Sequence, residues 1–290
     1  GNFNGWDPGS AAHILAPILQ GQYAITLDIQ PTQMQFKFTR GSWATVEGNA
    51  SGGFIPNRTF NYTGGAQTLT LSIAGWEDIG GGGTGTAAPN VSIMSTNFFM
   101  PQLNRSRRIW VYVPPDYNTS GKHYPVLYMQ DGQNLFDQNT SFAGEWQVDE
   151  SLNDLFAQSD DGIIVVGIDN GGGNRINEYS PWVNPQYGGG QGDEYIDFIA
   201  ETLKPHIDSV YRTRPQREFT GIMGSSLGGL ISHYGGIERQ DVFGKVGVFS
   251  PSYWFSSQVF SHTSSSGRQG DMRIYLLAGQ LEGSGSEVAQ

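Results

Sequence analysis

The sequence contains no cysteine among its 290 residues. Disulfides, thiolate metal sites and cysteine nucleophiles are therefore excluded. No apolar run approaches the roughly 20 residues that a membrane-spanning helix needs. Positive charge is also scarce, since 16 Lys and Arg stand against 27 Asp and Glu, which gives a formal net charge of −11. Because no basic cluster offsets this charge locally, we expect neither nucleic acid nor a membrane as a partner.

Motifs that hold metals or cofactors are missing too. The five histidines are scattered, and neither a His-Glu-X-X-His sequence nor an Asp-rich loop occurs. We therefore expect no metal and no cofactor. The chain begins at Gly1 without a methionine or a basic-then-apolar leader, which is typical of a processed or trimmed form. Together with many Gly and Asn residues and few lysines, this favours an exported bacterial protein, periplasmic or secreted.

A glycine-rich stretch divides the sequence into two parts. Residues 78–90 contain four consecutive glycines, then small residues and a proline, and they predict a flexible linker. Residues 1–77 are predicted to form a small all-β sandwich of the immunoglobulin-like type, because three segments have the alternating period of half-exposed strands. These segments are YAITLDI (23–29), MQFKFTR (34–40) and QTLTLSI (67–73).

The pattern changes in residues 91–290, where short apolar runs typical of strands buried on both faces alternate with helical stretches. The runs are IWVYV (109–113), PVLYMQ (125–130), IIVVGID (163–169), FTGIMG (219–224), KVGVFS (245–250) and RIYLLAG (273–279). Between two of them, residues 193–211 have apolar side chains at helical spacing, and Pro205 is expected to interrupt that helix. This alternation predicts a mostly parallel sheet flanked by helices.

The stretch GIMGSSLGGL fits the pattern Gly-X-Ser-X-Gly at Gly224, Ser226 and Gly228. A predicted strand precedes it and a predicted helix follows it, which is the context of a nucleophile elbow. In such a strained turn, glycines stand where any side chain would collide with neighbouring backbone. A simple glycine-rich turn is the alternative, since the sequence has 41 glycines. The flanking strand and helix favour Ser226 as an exposed nucleophile, with Ser225 pointing elsewhere.

A serine nucleophile needs a base to take its proton and a carboxylate to orient that base. With a nucleophile elbow, the chain order is serine, acid, histidine. Glu282 follows the last predicted strand and is the candidate acid; Glu287 is the fallback, and an ordinary loop glutamate is the alternative. His233 would lie about 10 Å along the helix from the nucleophile, which is too far. His262 is a weak candidate because it precedes the acid, in a predicted loop, so we expect the catalytic histidine beyond the end of this sequence.

Several segments together resemble the putative-esterase, or esterase D-like, branch of the α/β-hydrolases. They are YPVLYMQDGQNLFD (124–137), FAGEWQVDESL (142–152), IIVVGIDNGGGNRINEYSPW (163–182), the elbow GSSLGGL and FSPSYWF (249–255). That branch includes feruloyl and acetyl-xylan carbohydrate esterases, enterochelin esterases and mycolyl transferases. The resemblance covers about residues 91–290 and implies an α/β-hydrolase domain with Ser226 as the nucleophile and Glu282 as the acid. The family's histidine, which follows the acid, has no counterpart here.

The resemblance also suggests an oxyanion hole and a substrate cleft. An oxyanion hole needs two N–H donors, and we expect them from Leu227, just after the nucleophile, and from Gln133 in the loop DGQN, with Asn134 as the alternative to Gln133. Asp131 and Gly132 in that loop also fit a tight turn. Further residues are expected to surround the same cleft. Because they include several aromatic residues on loops at the strand ends, we favour a binding site for a sugar or an aromatic ring over ordinary core packing. They are Trp146, Glu178, Tyr179, Trp182 and Trp254.

The first part has its own resemblance, to starch- and glycogen-binding carbohydrate-binding modules. The segments that carry it are GNFNGWDP (1–8), QFKFTRGSW (35–43) and VEGNASGGFIPNR (46–58). Such modules stack a glucan on two tryptophans beside a lysine, and the matching positions are Trp6, Lys37 and Trp43. The spacing from lysine to the second tryptophan is one residue shorter than in glycogen-binding modules, and Val46 stands where starch-binding modules carry a tryptophan. A purely structural sandwich is therefore the alternative.

Together these features predict a two-domain serine esterase. It would cleave an acetyl or feruloyl ester of a carbohydrate or a plant phenolic through an acyl-enzyme at Ser226. The substrate would be a small-molecule or polysaccharide ester, with a glucan as a second ligand on the first domain. Two alternatives stay open: a carbohydrate-binding protein with an inactive hydrolase domain, suggested by the missing histidine, and an acyltransferase that uses the same serine.

Overall fold

The computed structural model describes residues 1–19, 21–28, 32–49, 52–78, 85–142 and 144–279. It divides into two compact units. The first unit comprises residues 1–86 with 137–145, and the second comprises residues 87–136 with 146 onward. Residues 79–84 of the expected linker lie outside the described residues. None of the helices in the described ranges is long and apolar enough to cross a membrane.

The first unit consists of short strands and turns. Its strands are β1 (Ala16–Leu19), β2 (Gln22–Ala24), β3 (Gln33–Phe36), β4 (Glu47–Gly48), β5 (Arg58–Asn61) and β6 (Gly75–Trp76). They pair antiparallel as β1 with β2, β3 with β5, and β4 with β6. The expectation of a strand at QTLTLSI is wrong: these residues pair with no strand, and Leu69, Leu71 and Ile73 are exposed. The immunoglobulin-like sandwich stays a prediction.

The second unit is built on a seven-stranded sheet. Its strands are β7 (Val91–Met100), β8 (Arg105–Tyr112), β9 (Val126–Gln130), β10 (Ile164–Ile168), β13 (Thr220–Ser225), β14 (Lys245–Phe249) and β15 (Arg273–Leu277). The order across the sheet is β15-β14-β13-β9-β10-β8-β7. The first five in that order run parallel, whereas β8 and β7 join antiparallel. A separate small hairpin pairs β11 (Val183–Asn184) with β12 (Gly188–Gly189).

This topology confirms the predicted, mostly parallel sheet, and all of the predicted apolar runs of the second part are strands. One detail is wrong: RIYLLAG was expected to be buried on both faces, yet every residue of β15 is exposed. Among the described residues, β15 lies at the edge of the sheet and pairs on one side, with β14. An apolar run has the same composition at an edge and in the centre, so the pattern alone does not distinguish the two.

Within the described residues of the second unit, six α-helices connect the strands. They are α1 (Val148–Ala157), α2 (Arg175–Glu178), α3 (Gly192–Asp197), α4 (Lys204–Val210), α5 (Leu227–Glu238) and α6 (Gln258–Ser266). A π-helical segment, Phe198–Leu203, joins α3 to α4 without a break. The helix therefore does not end at Pro205, contrary to the expected interruption. Instead it changes to the wider π turn just before the proline, which is the second residue of α4.

Two apolar layers cover the two faces of this sheet. One contains Tyr128, Val166, Ile222, Ile196 and Leu230, and the other contains Trp110, Tyr112, Met129, Phe136 and Val165. Helix α5 is buried along almost its whole length, from Leu227 to Ile237. The start of α5, where the Gly-X-Ser-X-Gly sequence lies, is therefore held against the centre of the sheet.

Candidate active site

Ser226 stands alone between β13, which ends at Ser225, and α5, which begins at Leu227. Its backbone has φ 59° and ψ −125°, a conformation that non-glycine residues rarely adopt. Such a residue stores about 1–3 kcal/mol of strain and persists only where the surrounding structure enforces it. Ser226 is exposed while Ser225 is half-buried. The sequence predicted this geometry of strand, strained serine and helix.

The glycines around Ser226 are required by close packing. A Cβ atom at Gly224 would lie 2.5 Å from the carbonyl oxygen of Gly228. One at Gly229 would lie 2.9 Å from the carbonyl oxygen of Phe249. Because neither backbone atom can move without breaking the turn, larger residues are excluded at both positions. The glycines are thus a steric condition of the turn, as expected for a nucleophile elbow.

Ser226 makes polar contacts with the last residue of β14 and with the loop that follows this strand. Its N–H donates to the carbonyl of Phe249 at 3.0 Å, and its carbonyl accepts from the N–H of Ser252 at 3.0 Å. Its Oγ lies 3.0 Å from Ser252 Oγ, at hydrogen-bond distance. Sequence reasoning missed Ser252, although the segment FSPSYWF that contains it contributed to the family resemblance.

The loop after β9 is fixed by the carboxylate of Asp131. Arg175 donates to both of its oxygens, from Nε at 2.7 Å and from Nη2 at 2.9 Å, and Asn170 Nδ2 donates at 2.7 Å. The N–H of Asp131 donates to the hydroxyl of Tyr179 at 3.1 Å. Burial by itself would lower the pKa of the Arg175 guanidinium, but the hydrogen bond and charge of Asp131 outweigh it and raise that pKa.

The same loop contains the expected oxyanion donor Gln133. Its side-chain oxygen accepts the N–H of Asn170 at 3.1 Å. A Cβ atom at Gly132 would lie 2.7 Å from backbone atoms of Gly167 and Ile168, so the loop lies directly against β10. The tight-turn interpretation of Asp131 and Gly132 therefore holds. Asp131 has φ 54°, in the left-handed region.

The described histidines do not hydrogen bond to Ser226. His233 is buried on α5, with Nδ1 2.7 Å from the hydroxyl of Tyr253 and Nε2 3.1 Å from Oγ1 of Thr263. Burial, and secondarily the charge of His262, lower its pKa to about 4. A neutral, doubly hydrogen-bonded imidazole in this position is part of the packing between α5 and α6.

His262 lies in helix α6, so its assignment to a loop is wrong. Its Nε2 is 3.5 Å from a carboxylate oxygen of Glu238, at the far end of α5 from Ser226. Twelve residues of helix correspond to roughly 18 Å. The structure therefore does not bring His262 to the candidate nucleophile. Glu282 and Glu287, the candidate acids, lie in residues 280–290, outside the described residues.

Two of the residues expected to surround the cleft are instead fully buried. Glu178 is paired with Arg107 at 2.7 Å and Arg105 at 2.8 Å, because a carboxylate removed from water needs opposite charge. The hydroxyl of Tyr179 accepts a hydrogen bond from the N–H of Asp131. Neither is accessible to a substrate, so both assignments are corrected to supporting roles.

The three expected tryptophans differ in exposure. Trp146 packs edge-on against Phe249, and Trp254 packs edge-on against Tyr187; both indoles are exposed. Trp182 is half-buried between α5 and α6, against Tyr234 and His262. Trp146 and Trp254 therefore stay available to a ligand.

Two of the three residues expected to bind glycan in the first unit lie together. The rings of Trp6 and Trp43 lie side by side, with centroids 6.2 Å apart. Lys37 is withdrawn from solvent: its side chain is 5% exposed, its Nζ lies 3.5 Å from Glu77 and 4.1 Å from the ring centre of Phe54. The Nζ of Lys37 is thus occupied by contacts within the first unit, and its role as a glycan ligand stays a prediction.

Curated relatives of this chain include three proteins with informative matches. An uncharacterized protein YbbA of Bacillus subtilis is 30% identical over 184 residues, which are 61% of this chain and 70% of YbbA. An iron(III) salmochelin esterase of Escherichia coli is 28% identical over 291 residues, covering 91% of this chain and 63% of that enzyme. An alpha-amylase of Niallia circulans is 46% identical over 79 residues, covering 27% of this chain but 6% of the amylase.

The fold has solved counterparts. The BES protein from Bacillus cereus superimposes with a TM-score of 0.55 at 19% identity, covering 76% of this chain and 79% of that structure. This likeness supports an α/β-hydrolase-like fold with a mainly parallel central sheet. The sequence model of a family described as "Putative esterase" matches residues 100–289, about two thirds of the chain. The chain therefore belongs to this family of ester hydrolases of the serine-esterase type.

Proposed function

We propose that the protein hydrolyses carboxylic esters through an acyl-enzyme on Ser226. The observation that carries this proposal is the strained, exposed serine between β13 and the buried helix α5. Strain of this kind is retained where a function needs it. Membership in an esterase family gives independent support for ester hydrolysis.

In the proposed reaction, Ser226 Oγ attacks the ester carbonyl carbon while its proton passes to a general base. The tetrahedral intermediate collapses, the bond to the alcohol oxygen breaks, and the alcohol takes a proton as it departs. Water then attacks the acyl-enzyme, and the acid leaves as the serine recovers its proton. Glu282 as the acid and a histidine as the base are expectations from the family, because neither group lies among the described residues near Ser226.

Two N–H groups are proposed to stabilise the oxyanion of the tetrahedral intermediate. Leu227 begins α5, and the first amides of a helix have no partner within the helix and lie at its positive end. Gln133 would supply the second donor from the loop that Asp131 and Arg175 fix. Removing one such donor typically costs about 100- to 1,000-fold in kcat.

We propose acyl esters of carbohydrates or plant phenolics as substrates, because exposed tryptophans such as Trp146 offer flat apolar surface. The salmochelin esterase relative adds an iron(III) siderophore ester as a second class. A panel of acetylated xylo-oligosaccharide, methyl ferulate and iron(III) salmochelin would rank these classes by kcat/KM. Acyl transfer would be recognised by an acylated sugar product when a sugar acceptor is added.

The test of the mechanism is covalent labelling with a fluorophosphonate, read by intact mass on the full-length protein. We expect one adduct, retained in Ser225→Ala and absent in Ser226→Ala. The neighbouring serine is a matched control because it lies in the same turn but is half-buried. An adduct that persists in Ser226→Ala contradicts the assignment. No adduct on the parent protein would favour the carbohydrate-binding alternative with an inactive hydrolase unit.

For the first unit we propose glucan binding on Trp6 and Trp43. The paired rings of these two tryptophans support this proposal. Retention on amylose or glycogen should be lost in Trp43→Ala. Tyr23→Ala is the control, since Tyr23 is an exposed aromatic residue of the same unit. Equal retention of the two variants would favour a structural role for the unit.

A further inference from the structure

Two large aromatic side chains of the second unit are exposed together. Trp254 is 59% and Tyr187 is 46% exposed. Their ring centroids lie 5.6 Å apart with an interplanar angle of 85°, an edge-to-face pair. Edge-to-face contact is a favoured arrangement of two aromatic rings. This pair leaves most of the indole accessible.

The backbone beneath the pair is pinned. Tyr187 belongs to the turn of the β11–β12 hairpin, and Asn184 in that hairpin donates from Nδ2 to the carbonyl of Phe255 at 2.8 Å. Phe255 is buried and also contacts the ring of Tyr187, at 6.5 Å between centroids. The two rings stand on segments that are hydrogen bonded to each other. Binding of a ligand would therefore cost little conformational entropy, because these side chains are already ordered.

The segment that carries Trp254 is connected to the candidate nucleophile through Ser252. The N–H of Phe255 donates to the carbonyl of Ser252 at 3.0 Å, and Ser252 contacts Ser226 through both its N–H and its Oγ. Trp254 follows Ser252 by two residues, so their Cα atoms are at most about 7 Å apart. The backbone that carries Trp254 therefore lies close to Ser252, whose Oγ is 3.0 Å from Ser226 Oγ.

We propose that Trp254 and Tyr187 form a stacking subsite for the ring-bearing part of the ester substrate. This inference rests on the proposed function and deepens it. An indole face binds the face of an aromatic ring or the C–H face of a sugar, which is the chemistry that aryl and glycosyl esters share. The hairpin is thus a specificity element that the family resemblance did not indicate.

The test compares kcat/KM for methyl acetate, which has no ring, with three ring-bearing esters: phenyl acetate, methyl ferulate and glucose pentaacetate. We expect Trp254→Ala to lower the ratio of ring-bearing to ringless kcat/KM about three- to tenfold, Tyr187→Ala to lower it less, and Trp254→Phe to retain most of it. Phe99→Ala is the matched control, since Phe99 is 54% exposed on β7 of the same unit. The ester whose ratio falls most identifies an aryl or a glycosyl ligand.

An unchanged ratio in Trp254→Ala, or an equal fall in Phe99→Ala, would overturn the subsite. A binding experiment separates failure of the subsite from failure of the proposed function. In it, ferulate or methyl β-xyloside is titrated into the Ser226→Ala variant, and binding is followed by NMR line broadening of the ligand. If the parent protein hydrolyses no ester, the subsite is still supported when the double variant Ser226→Ala, Trp254→Ala binds the ligand more weakly than Ser226→Ala. Absence of binding in that experiment overturns it.

Discussion

Ser226 Oγ and Ser252 Oγ lie 3.0 Å apart, and the backbone of the same two residues is joined by a 3.0 Å hydrogen bond. Ser252 is 5% exposed, so its hydroxyl has little water to replace this contact. A hydroxyl that donates to Ser226 Oγ would stabilise the negative charge that grows there as the base removes the proton. The backbone bond holds the loop after β14 against the elbow whichever side chain is present.

We therefore expect Ser252→Ala to slow fluorophosphonate labelling and to lower kcat roughly two- to tenfold, the effect of one hydrogen bond of about 0.5–1.5 kcal/mol. KM should change little, because the bond lies at the reacting atom. Ser252→Thr, which keeps a hydroxyl, should recover part of the rate. A purely structural role would instead lower the melting temperature and the rate together, with no recovery in the threonine variant.

The pair Asp131 and Arg175 leads to a second prediction. Arg175→Lys keeps the charge but loses the two-point geometry, and Arg175→Ala leaves a carboxylate that is 13% exposed without its main partner. We expect Arg175→Ala to lower the free energy of unfolding by about 2–4 kcal/mol, with a smaller loss for lysine. Because the loop carries the proposed oxyanion donor, kcat should fall more than KM rises.

Arg239→Ala is the control for that measurement, made by urea unfolding and steady-state kinetics. Arg239 makes three ion pairs, with Asp197, Glu201 and Asp241, but its partners are 47%, 57% and 66% exposed. Exposed pairs are worth less than about 1 kcal/mol each. A similar loss of stability in both alanine variants would show that the ion pair under the loop has no special role.

Local sterics made the elbow predictable from the sequence, whereas contacts between distant segments were not. A Cβ atom at Gly224 would collide with the backbone of Gly228. Both residues belong to the same short segment, so the sequence motif alone indicates this steric requirement. The bond from Ser226 to Ser252 spans 26 positions, and that from Arg175 to Asp131 spans 44. Glu178 was misassigned to the cleft for the same reason, since Arg107, which neutralises it, lies 71 positions away. Composition does not show which loops meet.

The buried imidazole of His233 predicts a loss of stability in acid. Its pKa is lowered to about 4, first by burial and then by the charge of His262, whereas an unfolded histidine titrates near 6.5. The unfolded chain therefore binds the proton more readily between these values, so this contribution is present above pH 6.5 and is lost as the pH falls towards 4. We expect His233→Gln, whose amide can still hydrogen bond to Tyr253 and Thr263, to reduce the fall in unfolding free energy between pH 7 and pH 4 by on the order of 1–3 kcal/mol.

His123→Gln, at an exposed histidine, is the control. Identical pH slopes in the parent and His233→Gln, measured by urea unfolding at each pH, would rule out His233 as the origin of the acid sensitivity.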